Sequence, residues 1–456
     1  MLVEGVKPNA FTISALLSGY NSRDSPSLLF LLHCHSIKLG LSSDGFVGGA
    51  LVNHYERLTG LEDAVRAFED ISHVDEVSWN IMIDACARSG SKEETVCVFS
   101  RMRWNGGGFD SFALTSVLKT CLEKMDLSLG MQLHGSALKV GLDSDTAVGN
   151  ALITMYSRCE NRVDSVFLVF STIHEPNIIT WTALISALLH HKMAKEAIDF
   201  YRKMLRSGIL ENEFCFSSVL PAFSEFSSLE HGRMVHSRIL KSTFQLDVGV
   251  GNTVMDMYFK CGIIEDAQLV FQTMTKIDVV SWTTIISGFG QHGKGREALK
   301  LFKMMEERGF IPDGVTFLGA LSACSHGGLV DEGIKLFKSM VDVYCIQPRK
   351  EHFACVVDLF GRAGRLNEAD SFIEEMGLKS DALVWETLLA GCELHGEVEL
   401  GKKSAERVIE LKPGEDLPYV SLSNIYAEKK MWEEKVEVRS RLDACGSKKD
   451  AAQSWV

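Results

Sequence analysis

Between Val279 and Asp313 the apolar residues fall in two stripes. Trp282, Ile285, Ile286 and Phe289 stand at i, i+3, i+4 and i+7, the spacing of one face of an amphipathic helix, and Gly293 marks a turn. A second stripe follows at Ala298, Leu301, Phe302 and Met305. Gly309 frees φ there and Pro312 removes a donor, so the second helix ends before them. Residues 178–212 repeat the arrangement with Trp181, Leu184, Ile185 and Leu188, then Ala197, Phe200 and Met204, closing at Gly208. A single hairpin of this kind cannot cover both of its apolar faces. Neighbouring hairpins must cover them, which predicts an all-α fold: a right-handed superhelical α-solenoid of tandem helix-turn-helix units, its concave surface lined by the first helices.

The pattern is a repeat with a higher period. Val279-Val-Ser-Trp-Thr283 aligns with Ile178-Ile-Thr-Trp-Thr182 and Glu76-Val-Ser-Trp-Asn80, and the three units that they open, 76–110, 178–212 and 279–313, are each 35 residues long. Units of 35 residues follow at 111–145 and 213–247, then shorter ones at 146–177 and 248–278, of 32 and 31 residues. Three unit types therefore alternate. Backward, the cycle gives a long unit at 10–44 and a short one at 45–75; forward, it gives a long unit at 314–349 and a short one at 350–381, with a different region at 382–456. Residues 1–9 match the tail of a unit: Met1 precedes Gly5 as Met204 precedes Gly208, and Pro8-Asn9 closes it, so the chain is expected to open in mid-hairpin.

Composition narrows the reading. With 46% hydrophobic residues and 8 prolines in 456, the chain has ample apolar surface and is expected to fold throughout. The net charge of -13 is opposite to that of a generic nucleic-acid binder, so any such binding must rest on local positive charge and contacts to bases. Twelve cysteines occur without a CxxC pair, and Cys121, Cys159, Cys261 and Cys324 recur at equivalent positions, which suits small apolar packing in a reducing compartment rather than metal or disulfide use. The longest apolar run, Leu28 to Leu32, is far below the roughly 20 residues that span a bilayer; it is expected to be a core helix. No membrane partner is expected.

Hairpin repeats also build tetratricopeptide scaffolds, which bind peptides. These units lack the W-x2-L-G-x2-Y pattern, close with Asp or Pro-Asp, and cycle in length through 35, 35 and 31 or 32 residues. The cycle of standard, long and short units instead resembles the plant-specific branch of pentatricopeptide repeat proteins, along essentially the whole chain. Leu321-Ser-Ala-Cys-Ser-His-Gly-Gly-Leu-Val-Asp-Glu-Gly333, Asp358-Leu-Phe-Gly-Arg-Ala-Gly-Arg-Leu366, Trp385-Glu-Thr-Leu-Leu389 and Leu422-Ser-Asn-Ile-Tyr426 look like that branch's last repeats and its E extension of two degenerate helical repeats.

The resemblance implies sequence-specific binding of single-stranded organellar RNA. Through the E extension it implies a role in C-to-U editing with a cytidine deaminase supplied in trans, and otherwise a role in transcript stability, processing or splicing. It implies a mitochondrion or a plastid, the mitochondrion preferred; this rests on the resemblance alone, because the opening carries no transit-type stretch. A deaminase needs H-x-E and a downstream P-C-x-x-C to hold zinc. His395-Gly-Glu397 has no CxxC after it and is expected to be surface helix, and the chain closes at Gln453-Ser-Trp-Val456, like the end of an E extension. The chain is therefore expected to be non-catalytic, with no cofactor or metal. His190 with His191, and Cys324 near His326, are expected to be ordinary helix residues.

In that family the fifth and last residues of a unit choose the base, one base per repeat, by reaching its Watson–Crick edge. Asparagine at the fifth position favours pyrimidines and threonine or serine purines, while the last residue selects between keto and amino bases. Carried onto this chain, Asn80 with Asp110 implies U, Asn150 with Asn177 C, Thr182 with Asn212 A, Asn252 with Asp278 U, and Thr283 with Asp313 G. The implied site is U-n-C-A-n-U-G, 5′ to 3′. The open letters belong to the long units, Thr115 with Asp145 and Ser217 with Asp247, weaker readers like Ser14 with Asp44. Gly49, Leu318 and Ala354 stand at the fifth position elsewhere and depart from the pattern. Five contacts at about 1 kcal/mol each would give about 5 kcal/mol of preference.

Overall fold

The computed structural model describes residues 7–19, 26–225, 229–242, 244 and 247–444. Among them are 26 α-helices, a 3-10 turn at Lys124–Asp126, and no strand. The two stripes of 279–313 are the helices Val279–Gln291 and Gly295–Glu307, and those of 178–212 are Ile178–His190 and Ala194–Arg206. Trp282, Ile285 and Ile286 are fully buried, as are Leu184, Ile185 and Leu188. Glu76–Arg88 with Lys92–Trp104 forms the matching hairpin earlier in the chain. The region after 382 continues the motif in two further hairpins, Ala382–His395 with Val398–Leu411 and Leu417–Glu428 with Trp432–Ala444.

The first helices begin where an Asp or Asn can cap them. Asn9, Asp44, Asp75, Asp110, Asp145, Asn177, Asp247, Asp278 and Asp313 all have extended backbone, and each side chain accepts an N–H of the helix it precedes. Each such cap satisfies an otherwise unpaired donor and contributes about 1 kcal/mol.

The higher period is written into the packing. Phe68 meets Trp79, Phe170 meets Trp181 and Phe271 meets Trp282, each pair edge-to-face at 5.0, 5.0 and 4.9 Å between centroids. In each pair a short unit's second helix supplies the phenylalanine and the next unit's first helix the tryptophan. A second joint recurs between long and short units: His33, His134 and His236 place Nδ1 at 2.6, 2.8 and 2.9 Å from the hydroxyls of Tyr55, Tyr156 and Tyr258. Edge-to-face pairs add about 1 kcal/mol beyond burial, so each joint is an oriented contact as well as an apolar one.

The chain divides into two compact units, Met1–Ala222 and Phe223–Val456. Within the first, Gly45–Leu58, Glu76–Arg88, Ser111–Leu118, Thr146–Cys159 and Ile178–His190 pack each on the next. Within the second, Val248–Lys260, Val279–Gln291, Gly314–His326, Lys350–Arg362, Ala382–His395 and Leu417–Glu428 do the same. In both units the first helices form one layer and the second helices back it.

Two expectations are corrected. Leu28 to Leu32 is helical, within Pro26–Lys38, but it is not a core segment: Leu29 is buried while Leu28, Phe30 and Leu31 are exposed. Successive helical residues are about 100° apart, so five in a row cannot share one face. His395-Gly-Glu397 is not inside a helix: His395 ends Ala382–His395, Gly396 takes the left-handed conformation at φ 64°, and Glu397 precedes Val398–Leu411. The residues Met1 to Gly5 and Gln453 to Val456 lie outside the described residues.

Cys121, Cys159 and Cys324 are buried and Cys261 is half-buried. Burial pushes the thiols of Cys121 and Cys324 up to about 11 and about 12, which disfavours the reactive thiolate. Among the described residues no group of three or more His, Cys, Asp or Glu could hold a metal ion, and no helix is long and apolar enough to cross a membrane.

Candidate nucleic-acid interface

The residues singled out at the fifth and last positions lie where one first helix meets the next. In Glu76–Arg88 the amide of Asn80 donates from Nδ2 to Oδ2 of Asp110 at 2.8 Å, while Oδ1 of Asp110 accepts the N–H of Ala113 at 2.8 Å. Asn252 donates to Asp278 at 3.4 Å. The last residue of a unit is thus also the cap of the next one, and the two roles share one side chain. Asn212 caps through Oδ1, accepting the N–H of Cys215 at 2.8 Å, and Asn177 accepts that of Thr180 at 3.0 Å.

Thr283 is joined to Asp313 through an intermediary. Its hydroxyl lies 2.7 Å from that of Thr316, which donates to Oδ1 of Asp313 at 2.8 Å. Both threonines also lie within hydrogen-bond distance of a carbonyl of their own helix, Thr182 at 2.7 Å from that of Ile178 and Thr283 at 2.9 Å from that of Val279. The three fifth-position asparagines have one feature in common: Oδ1 of Asn80, of Asn150 and of Asn252 is buried with no hydrogen-bond partner. A buried carbonyl oxygen without a donor costs about 1–3 kcal/mol, and its recurrence at one repeat position marks that position as unfinished within the protein alone.

Thr182 and Asn212 line a cleft of about 620 Å³ in the first unit, together with Ile179, Phe214, Arg158 and His190. Ile179 and Phe214 are each the second residue of their unit, and both are more than half exposed. Val77, Phe112, Val280 and Val315 hold the same place and are likewise exposed. These residues escaped the sequence reading. Their signal is present there: an apolar residue two positions before the buried Trp79, Leu114, Trp181, Phe216, Trp282 or Phe317 points away from the core stripe, so its burial cannot explain it.

Positive charge is placed locally. Arg57, Arg88, Arg158, His190, Lys260 and Arg362 all stand in the last turn of a first helix. Arg88 is bridged to Asp84 and Glu56, Lys260 to Asp256 and Arg362 to Asp358. Arg57 and Arg158 have no ion pair within 4.0 Å among the described residues.

Two of the carboxylates at unit ends, Asp75 and Asp278, are held ionised. Hydrogen bonds from the Ser78 hydroxyl and N–H lower the Asp75 carboxyl. At Asp278 burial opposes ionisation, but bonds from the N–H and hydroxyl of Ser281 and from the Asn252 amide outweigh it and hold the group below the usual carboxylate range.

The weaker positions differ in placement. Thr115 is buried and turns its hydroxyl to the Phe112 carbonyl at 2.9 Å. Asp145 caps through Ala147 and Val148, Asp44 through Phe46 and Val47, and Asp247 through Val250. Ser14 and Ser217 are half-buried. Gly49 has a packing cause: a Cβ there would lie 2.7 Å from Cδ1 of Ile81 on the next first helix. Leu318 and Ala354 line a cleft of about 400 Å³ in the second unit with Val315 and Leu383, an apolar counterpart of the first.

Comparison with known proteins finds helical repeats of one family along the chain. Sequence profiles of the PPR repeat family match residues 176–225 and 277–326, the PPR repeat matches 77–107, 252–279, 315–345 and 352–380, and the E motif matches 395–456. The Arabidopsis thaliana pentatricopeptide repeat-containing protein At1g50270 is 37% identical over 99% of this chain and 76% of its own length. The chain spans 46% of At4g33170, at 36% identity, and 60% of At3g53360, named mitochondrial, at 38%, both also from Arabidopsis thaliana.

Among solved structures, the fold is similar to that of the pentatricopeptide repeat protein PPR10 in complex with an 18-nt psaJ RNA element. The TM-score is 0.62 at 18% identity, covering 97% of this chain and 75% of that one. PPR10 from maize matches with a TM-score of 0.53 at 17% identity, covering 98% and 75%. On its repeats, its E motif and the reach of these relatives, this chain belongs to the pentatricopeptide repeat family.

Proposed function

We propose that the chain binds single-stranded RNA and selects its sequence through the fifth and last residues of successive units. The observation that carries this reading is the double use of the last side chain. Because Oδ1 is occupied by the helix cap, an aspartate has only the acceptor Oδ2 left to offer, and an asparagine only its Nδ2 donor. Uracil and guanine present an N–H at the ring nitrogen of their pairing edge, whereas cytosine and adenine present a lone pair there. Asp110, Asp278 and Asp313 therefore suit U or G, and Asn177 and Asn212 suit C or A. The exposed second residues, such as Ile179 and Phe214 beside Thr182 and Asn212, supply apolar faces between which a base can lie. Arg57 and Arg158, which have no ion pair among the described residues, are placed to meet phosphates.

The PPR10 complex with RNA and the E motif at 395–456 support extending the reading to an organellar transcript, in a mitochondrion or a plastid as several relatives are named. The mitochondrion is kept as the preferred compartment. On this reading the chain supplies recognition for C-to-U editing, and a deaminase joins it in trans through the E region.

The test is binding of the purified chain to a short RNA containing U-n-C-A-n-U-G and to one with A changed to G, with wild type and Asn212→Asp. Wild type prefers A and the variant prefers G. Absence of preference in both proteins overturns the base assignment, and absence of RNA binding overturns the function. For the editing role, a loss-of-function line is expected to lose conversion at one cytidine. Intact editing with altered transcript ends would assign the chain to processing instead.

A further inference from the structure

Asn80 with Asp110 and Asn252 with Asp278 are the same residue pair at the same repeat positions, and on the RNA-reading function proposed above both take U. Their hydrogen bonding differs. Asp110 engages both oxygens inside the protein, Oδ1 with the Ala113 N–H and Oδ2 with the Asn80 amide, each at 2.8 Å. At Asp278 three donors converge on Oδ1: the Ser281 N–H at 2.8 Å, the Ser281 hydroxyl at 2.9 Å and the Asn252 amide at 3.4 Å. Oδ2 of Asp278 keeps no hydrogen bond to a described residue, and the side chain is exposed.

The difference traces to the third residue of the following unit, Ala113 in one case and Ser281 in the other. Ser281 is fully buried, and its oxygen also accepts the Asp278 N–H at 3.2 Å, so the hydroxyl is fixed by donating and accepting at once. The same device recurs at Ser78 on Asp75, Thr180 on Asn177 and Thr316 on Asp313, with all three residues buried. Val148, Cys215 and Val250 occupy the third position elsewhere and offer only a backbone N–H.

We infer that Ser281 is a positioning residue for base choice: by gathering the cap and the Asn252 amide on Oδ1, it leaves Oδ2 of Asp278 free to accept the N3–H of uracil. Asp110 has no such hydroxyl behind it, so its Oδ2 is shared between the Asn80 amide and the base. The two U-reading units therefore differ in strictness although their reading residues are identical. The second U of the site is read more tightly than the first.

The experiment measures binding of the full chain to the U-n-C-A-n-U-G RNA and to two copies in which one or the other U is changed to C. The penalty is expected to be about tenfold at the second U and about threefold at the first. Ser281→Ala should bring the second penalty down to the first without changing the first, Ser281→Thr should restore it, and Ala113→Ser should raise the first. A purely structural role for Ser281 would weaken every RNA by the same factor. That result, or equal penalties at the two positions in wild type, overturns the inference and leaves RNA reading standing. Absence of U preference at both positions overturns the two together.

Discussion

Asn80 donates from Nδ2 to Oδ2 of Asp110 at 2.8 Å, joining the fifth residue of one unit to the residue that caps the next. On the proposed function the side chain of Asp110 is therefore shared between folding and recognition. One oxygen starts the helix Ser111–Leu118, and the other is set against the fifth position of the unit before.

Asp110→Asn separates the two roles. The new Oδ1 keeps the cap on Ala113, so the melting temperature should change little. The remaining group becomes a donor, so the base preference at the first letter should move from U to C, with U binding weakened by about 1 kcal/mol, roughly fivefold. Fluorescence-polarisation titrations with the U and C forms of the RNA read this directly. A uniform loss of affinity for both would mean that Asp110 acts only as a cap.

Arg158 lines the cleft beside Thr182 and Asn212 and has no ion pair among the described residues. Arg158→Ala should weaken RNAs of different sequence by the same factor. It should also reduce the slope of log affinity against log salt by about 0.7, the value for one phosphate of a single strand. An unchanged salt slope would remove Arg158 from the phosphate path.

The His–Tyr joints make stability depend on pH. Burial lowers His134 and His236 from the ordinary histidine value, against the pull of Asp143 on the first and Asp266 on the second. The unfolded chain takes up protons at about pH 6.5, whereas the folded one does so only at lower pH. Stability is thus complete above pH 6.5 and declines as pH falls below it. Urea midpoints measured between pH 7.5 and 5.5 should drop for wild type and drop less for a variant carrying His134→Asn and His236→Asn. Equal declines in the two proteins would locate the pH dependence elsewhere.

The hairpins, their order and their caps could be read from the chain because each is a local property. A stripe at i, i+3, i+4 and i+7 records which side of a helix is buried, as Trp282, Ile285 and Ile286 show, and an aspartate before the stripe has the chemistry of a cap wherever it is found. The recurrence of Trp79, Trp181 and Trp282 fixed the period of the packing for the same reason: identical units meet identical neighbours.

Relations across helices were not local, and only the tertiary structure decided them. Leu28 to Leu32 looked like core because composition carries no direction, and most of it faces outward. Ile179 and Phe214 line the cleft beside Thr182 and Asn212 as exposed residues, an exposure that depends on how neighbouring first helices pack. Above all, the sequence names Asp110 and Asp278 as equals. Which carboxylate oxygen each has left to offer is settled by Ala113 and Ser281 on the following helix, through distances of a few ångströms that no repeat pattern encodes.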